Sequence, residues 1–312
     1  MSNILIIKHG SLGDIVQISG VLKDIREKHL HDKIFILTTS PYEKLLAKCP
    51  FVDEVIIDER LPRWNIFYLM KLRKIINKLR LFIVYDLQNS SRTFFYQKFL
   101  FNISKWSSTN TALKKGIKKS DFDNDPVLER FKFQLESSNV KSNFTLKPDF
   151  SWSCINVDQI INKFFTKKFI IIFPFSSPKL KHKQWSSYNK LINVIKKNHN
   201  NLDIAIAPGP NEMHEAKKIN SISITNEGKP LNLMELAGLV KKSSFVISND
   251  TGPAHMAAHL GSNGVVLFGY HTTARKVSIE TDKFKAISVS DLKDLPADEV
   301  YLNIKDRLNS ID

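Results

Sequence analysis

The sequence predicts an α/β protein built from two doubly wound parallel sheets. Short apolar runs alternate with segments of helical spacing, and such alternation builds parallel strands covered by helices. The alternation occurs twice, in two series joined near residues 150–165. The chain has 312 residues, enough for two domains of ordinary size, each with its own core. The expected domains are 1–155 and 156–312, facing a central cleft, with the terminal helix at about 297–309 free to pack back on the first.

The first series opens with "NILIIK", an apolar run with the character of a buried strand. A helix over 14–28 follows, because Ile15, Ile18, Val21, Leu22 and Ile25 fall at helical spacing. Next come "KIFILTT" as a strand, "YEKLLAKC" as a helix, "VDEVIID" as a short strand, 66–80 as a long basic helix and "LFIVYDLQ" as a strand. Residues 102–150 are rich in Ser, Asn, Lys and Asp with little periodicity, which predicts loops and short helices. The second series runs "KKFIIIFPF" (strand), 186–198 (helix), "DIAIAPG" (strand), a helix from near Glu212 and "LNLMELAGLVKKS" (helix). It continues with "SFVISND" (strand), "GPAHMAAHLG" (helix flagged by Asp250, Thr251 and Pro253), "NGVVLFG" (strand) and a helix over 297–309.

Composition narrows the class. Hydrophobic residues make up 42% and charged residues 25%, the profile of a folded globular chain. The longest apolar stretch, "FIIIF" at 169–173, is far too short to span a bilayer. Lys8 and Asp14 interrupt any signal-peptide pattern, and the two cysteines, Cys49 and Cys154, do not make a disulfide framework, so a cytoplasmic setting is expected. The net charge of +15 attracts polyanions such as nucleic acid, anionic lipid headgroups or phosphorylated substrates, unless it reflects only a Lys-, Asn- and Ile-rich composition. No nucleic-acid-binding module is recognisable, and the basic residues are spread along the chain.

Four stretches carry chemistry. In "KHGSLGD", Lys8, Gly10, Ser11 and Gly13 form a turn between strand and helix that ends in Asp14. The turn lacks the Gly-Lys-Ser/Thr of a phosphate loop, and Asp14 sits where an anion would sit. That leaves Asp14 either a carboxylate with its own task or a helix cap. In "SNDTGPAHMAAHLG", Asp250 ends a strand, and Thr251 and Gly252 open a helix with His255 in its first turn. The hydroxyl, the free N–H groups and the helix dipole suit a diphosphate, to which His255 could donate; a capped helix with an incidental histidine is the plainer alternative. His259 lies one turn further on, but without the Glu of a zinc-binding HExxH helix no metal is expected. In "FPFSSPKLKHKQW", Lys179, Lys181 and Lys183 follow a strand, where they could meet phosphate or remain a solvated run. In "APGPNE", Glu212 could bind sugar hydroxyls or cap a helix.

Taken together, "NILIIKHGSLGDIVQISGVL", "FVDEVI", "FPFSSPKLKHKQWSSYNKLI", "APGPNE" and "NDTGPAHMAAHLGSNGVVLFG" resemble, in this order, glycosyltransferase family 9, which contains the ADP-heptose:lipopolysaccharide heptosyltransferases. The resemblance covers roughly residues 3–275. It implies a GT-B fold of two Rossmann-like domains, an N-terminal one for the acceptor and a C-terminal one for the nucleotide sugar. It also implies inverting, metal-independent transfer of a heptose from ADP-heptose to a lipid A-linked acceptor. On this resemblance Asp14 is the general base, needing good positioning or a raised pKa because an ordinary Asp, near about 3.9, is a weak one. Lys183, Thr251, Gly252 and His255 meet the charge of the leaving diphosphate, Glu212 lies near the ribose, and Asp250 holds sugar hydroxyls. The chain departs from the family after "LFG", where Pro-Thr-Asp-Pro is common and Tyr270, His271, Thr272 and Thr273 stand instead. That departure leaves another nucleotide sugar open as donor, and a non-catalytic nucleotide- or glycan-binding protein is the reading from a different class.

The stretch 63–82, "RWNIFYLMKLRKIINKLRLF", interleaves aromatics with Arg63, Lys71, Arg73, Lys74, Lys78 and Arg80. A basic amphipathic helix of this kind suits the anionic inner face of the cytoplasmic membrane, as well as the solvated face of an ordinary core helix.

Overall fold

The computed structural model describes residues 1–113 and 117–311 and divides into two compact units, Met1–Trp152 and the chain from Ser153 onward. The first unit holds a five-stranded parallel sheet in the order β3-β2-β1-β4-β5. Its strands are β1 (Asn3–Ile7), β2 (Lys33–Thr38), β3 (Glu54–Ile57), β4 (Leu81–Asp86) and β5 (Trp106–Ser107). In β1, Ile4 to Ile7 are fully buried because helices cover both faces of the sheet. One face packs Leu5, Ile7, Leu37 and Val84 against Tyr68, Leu69, Leu72 and Ile76 of the Ile66–Lys78 helix and against Tyr96 and Leu100.

The second unit holds a six-stranded sheet in the order β11-β10-β9-β6-β7-β8. Its strands are β6 (Lys168–Phe173), β7 (Leu202–Ile206), β8 (Ile222–Ser223), β9 (Phe245–Asn249), β10 (Gly264–Phe268) and β11 (Phe284–Ser288). All strand pairs in both sheets are parallel. The terminal helix, Ala297–Asn309, packs on the core of its own unit through Val300, Tyr301, Ile304 and Leu308.

In each sheet the order reverses between two neighbouring strands, β1 and β4 in the first unit and β6 and β9 in the second. At such switch points the loops leaving the carboxyl ends of the two strands diverge, and ligands of doubly wound sheets bind there. β1 leads into Lys8–Asp14, β6 into the lysine loop and β9 into Asp250.

Three segments differ from the sequence reading. The helix expected over 14–28 starts at Leu12 and is interrupted at Ile18, giving Leu12–Gln17 and Ser19–Lys28. There the Ser19 hydroxyl bonds the Asp149 carbonyl, and Gly20 lies against the Phe144 carbonyl, where a Cβ would approach to 2.1 Å. "YEKLLAKC" is a 3₁₀ turn followed by the single turn Glu43–Leu46. Within 102–150, Val127–Glu136 is a ten-residue helix that buries Leu128, Phe131, Gln134 and Leu135. The two-residue strands β5 and β8 offer no periodicity to read, and the sequence reading also leaves out the five-residue β11 near the end of the chain.

Candidate functional site

The first unit carries one cluster, at the carboxyl end of β1. Gly10 adopts φ +98°, and a Cβ there would meet the Tyr42 ring at 2.2 Å, so the turn requires glycine twice over. Ser11 is the N-cap of the Leu12–Gln17 helix, and Gly13 is buried in its first turn. Asp14 Oδ2 accepts from the Ser11 N–H (2.8 Å) and the Ser11 hydroxyl (3.0 Å), while Lys8 Nζ lies 3.2 Å from Oδ1. Lys8 is buried, with its ammonium also donating to the Leu87 carbonyl at 3.2 Å. Asp14 is therefore a helix cap and an ion-pair partner at once, with its side chain 39% exposed.

These contacts decide the protonation of Asp14. Burial pushes its pKa up, but the Lys8 ammonium and the Ser11 hydrogen bonds outweigh burial and hold the carboxyl below the usual carboxylate range. The raised pKa that the sequence reading offered as one route to a stronger base is absent, which leaves positioning as the other.

Beneath this turn lies a network that sequence reasoning did not find. His9 Nε2 is 2.8 Å from Asp58 Oδ2, both side chains fully buried. Asp58 also accepts from the hydroxyls of Tyr68 and Tyr96 (2.7 Å for Tyr96), and Tyr96 in turn accepts from Arg92 Nε at 2.6 Å. Burial pushes the Asp58 carboxyl up, but His9 and the two phenols pull it well below its usual range. The His9 backbone is fixed as well, its N–H donating to Gln88 Oε1 and its carbonyl accepting from Thr39. No spacing links positions 9, 58, 68 and 96; only the fold brings them together.

The second unit carries the other cluster, around Asp250 at the end of β9. Lys183 Nζ lies 2.6 Å from Asp250 Oδ2, His271 Nε2 3.0 Å from the same oxygen, and His255 Nε2 3.7 Å from Oδ1. Burial pushes the Asp250 carboxyl up, but His255 and Lys183 hold it well below its ordinary range; at 3.7 Å His255 is beyond a hydrogen bond, so Lys183 is the closer partner. Thr251 caps the Gly252–His259 helix in extended geometry, with its hydroxyl turned back to the Asn249 carbonyl at 3.3 Å. No side chain caps the start of that helix; Pro253 has no N–H and the Ala254 and His255 N–H groups reach the Thr251 carbonyl (3.0 and 3.3 Å), which leaves the Gly252 N–H to offer, beside a lysine and two histidines. His259 is buried one turn below His255, its pKa pushed down to about 3 by burial and by His255, so it is neutral.

Of the three lysines after β6, Lys183 alone reaches the cluster; Lys179 and Lys181 are exposed. Asn249, which the sequence reading passed over, holds the loop that presents Lys183. Its side chain accepts from the Trp185 N–H (3.2 Å) and the Tyr188 hydroxyl (3.0 Å) and donates to the Pro174 carbonyl (2.9 Å). Glu212 stands on the next loop, after β7, where Oε2 accepts from the Gly209 N–H at 2.8 Å; burial raises its pKa against that bond. His271, which in the sequence is only a departure from the family's motif, joins this cluster. Among the described residues no group of three or more His, Cys, Asp or Glu is arranged to hold a metal ion.

Comparison with known proteins gives the class and then the family. Solved structures of the Escherichia coli heptosyltransferase WaaC superimpose over almost the whole chain. The WaaC complex with ADP covers 97% of this chain and 99% of that one, at 17% identity and a TM-score of 0.75. The complex with ADP-2-deoxy-2-fluoro heptose gives 0.74, also at 17% identity, over 98% and 99%. The fold is thus the two-domain GT-B fold of nucleotide-sugar glycosyltransferases. The family model described as glycosyltransferase family 9 (heptosyltransferase) matches residues 106–297, and the chain belongs to that family. Among curated relatives, the lipopolysaccharide core heptosyltransferase OpsX of Haemophilus influenzae is 31% identical over 121 residues, 38% of this chain and about a third (34%) of that protein. The lipooligosaccharide heptosyltransferase 2 of Campylobacter jejuni is 26% identical over 269 residues, 83% of this chain and 78% of that protein.

Proposed function

We propose that this chain is an inverting glycosyltransferase that moves a heptose from ADP-heptose to a lipopolysaccharide core acceptor linked to lipid A, without a metal. The observation that carries the reading is the Lys183–Asp250 pair beside the uncapped start of the Gly252–His259 helix, in a member of family 9. A departing nucleoside diphosphate carries concentrated negative charge. The Lys183 ammonium and the Gly252 N–H, with the helix dipole behind it, are the groups that can meet that charge. WaaC, which shares the fold, has been solved with ADP, which supports an adenine nucleotide here.

In this reading Asp14 takes the proton of the acceptor hydroxyl as the oxygen attacks the anomeric carbon from the face opposite the diphosphate. Because Asp14 is ionised well below neutral pH, it is always ready to accept, and its efficiency comes from placement by Ser11 and Lys8. Thr251, Gly252 and Lys183 hold the diphosphate, with His255 next to them; Asp250 takes sugar hydroxyls and Glu212 the ribose. The second reading is a different nucleotide sugar, and the specific observation in its favour is His271 on Asp250, where the family commonly carries another sequence.

The reading extends to the membrane. No helix among the described residues is long and apolar enough to cross one. The Ile66–Lys78 helix instead offers Phe67 and Met70 to solvent beside Lys71 and Lys74, with Trp64 just before it. Between Leu61 and Lys105 the single acid is the buried Asp86, so every exposed charge there is positive. Exposed aromatics among cations suit the anionic inner leaflet where a lipid A-linked acceptor resides, with the enzyme working from the cytoplasm.

Calorimetry against ADP, UDP, GDP and CDP, with and without EDTA, tests the donor. Tight ADP binding untouched by EDTA is the expected result. Preference for another nucleotide would discard heptose, and no binding at all would favour a non-catalytic role.

A further inference from the structure

Two donors share one oxygen of Asp250, and they differ in how firmly they are held. Lys183 ends the 3₁₀ segment Pro178–Lys183, reaches Oδ2 on a flexible four-carbon stem and is 19% exposed. His271 is 6% exposed; its ring lies nearly parallel to Phe268 (centroids 5.9 Å, 18°) and edge-on to His182 at 5.5 Å. Asp250 itself is 3% exposed, and a carboxylate so buried pays heavily for losing its only hydrogen-bonded partner. A lysine alone on Asp250 would therefore be held back from a second anion: its other N–H groups could reach a phosphate only from where the bond to Asp250 keeps the ammonium.

We propose that His271 is a positioning residue that keeps Asp250 hydrogen-bonded and so frees Lys183 to turn to the diphosphate of the bound donor. This rests on the reading of the second unit as the nucleotide-sugar site. The imidazole is the partner that stays, because it is packed between Phe268 and His182; the ammonium is the partner that moves. Burial pushes the His271 pKa down against its bond to Asp250, so the ring works as a neutral Nε2–H donor. A neutral donor is the right one for this task, since it satisfies the carboxylate without placing a second fixed cation on it.

The test is ADP affinity by calorimetry on wild type, His271→Ala, His271→Gln, Lys183→Ala and the double variant Lys183→Ala/His271→Ala, with thermal melts to show that each is folded. His271→Ala is expected to weaken ADP binding about tenfold, and His271→Gln, which keeps a neutral N–H, to recover most of it. In the Lys183→Ala background the His271→Ala change is expected to do nothing further, because there is no ammonium left to release. Wild-type affinity in His271→Ala would overturn the proposal, as would an undiminished loss in the Lys183→Ala background. A wild-type protein that ignores ADP would instead overturn the nucleotide reading on which the proposal rests.

Discussion

The Lys8 ammonium lies 3.2 Å from Asp14 Oδ1, while Ser11 occupies Oδ2, so both oxygens of the proposed base are held within its own turn. The pair lowers the Asp14 pKa despite the upward push of burial. In Lys8→Met the opposing cation is gone and only the Ser11 hydrogen bonds still work against burial, so the pKa should rise. A base works above its pKa, and the acid limb of kcat/KM against pH should accordingly move to higher pH in the variant. An unmoved limb would separate Asp14 from the pH profile. The stability linkage has the same sign. A depressed carboxyl stabilises the fold above its unfolded pKa, about 3.9, and the contribution is lost as pH falls through the lower folded value.

Asp58 is the most exacting group of the first unit, with no exposed side-chain surface and with His9, Tyr68 and Tyr96 all turned towards it. Asp58→Ala leaves a buried histidine and two phenols without their acceptor and should cost about 3–5 kcal/mol, at about 1–3 kcal/mol for each buried polar group left unpaired. Urea unfolding followed by circular dichroism measures it; a loss within about 0.5 kcal/mol, the range of an ordinary surface change, would show that the network contributes little.

Lys183→Ala removes the ammonium that the donor diphosphate needs and leaves Asp250 with His271. Nucleotide binding and transfer should both weaken, the first by more than tenfold. Unchanged ADP affinity in a folded Lys183→Ala protein would remove this residue from the donor site.

Membrane contact is predicted to depend on both charge and aromatics. A basic residue near an anionic surface contributes about 1 kcal/mol, so Lys71→Glu/Lys74→Glu should lower binding to vesicles containing anionic lipid by more than tenfold. Trp64→Ala/Phe67→Ala should lower it further in high salt, where the charge term is screened. Equal sedimentation of all variants with such vesicles would argue against this face.

Much of the fold is legible along the chain because each long strand is a buried apolar run and each long helix shows its period. Short elements such as Trp106–Ser107 have too few residues for a pattern, and the interruption at Ile18 comes from contacts with Phe144 and Asp149, more than a hundred positions away. The site divides in the same way. Asp14, Asp250 and Lys183 stand in local motifs, each in the stretch that follows a strand. His271, Asn249 and the His9–Asp58 network reach their partners only through strand order and could not be placed by spacing. The sequence also invites a strengthened base at Asp14, whereas the structure surrounds it with a cation and two donors.

The measurement that bears most directly on the central claim is transfer from ADP-heptose to a heptose-deficient lipopolysaccharide acceptor in EDTA, for wild type and Asp14→Asn side by side. The account predicts robust wild-type transfer in the chelator. Asp14→Asn should bind ADP as wild type does but transfer about 10²–10⁴-fold more slowly, the usual worth of a positioned general base. Near-wild-type turnover in Asp14→Asn, or a wild-type enzyme that stops when metal is removed, would contradict it.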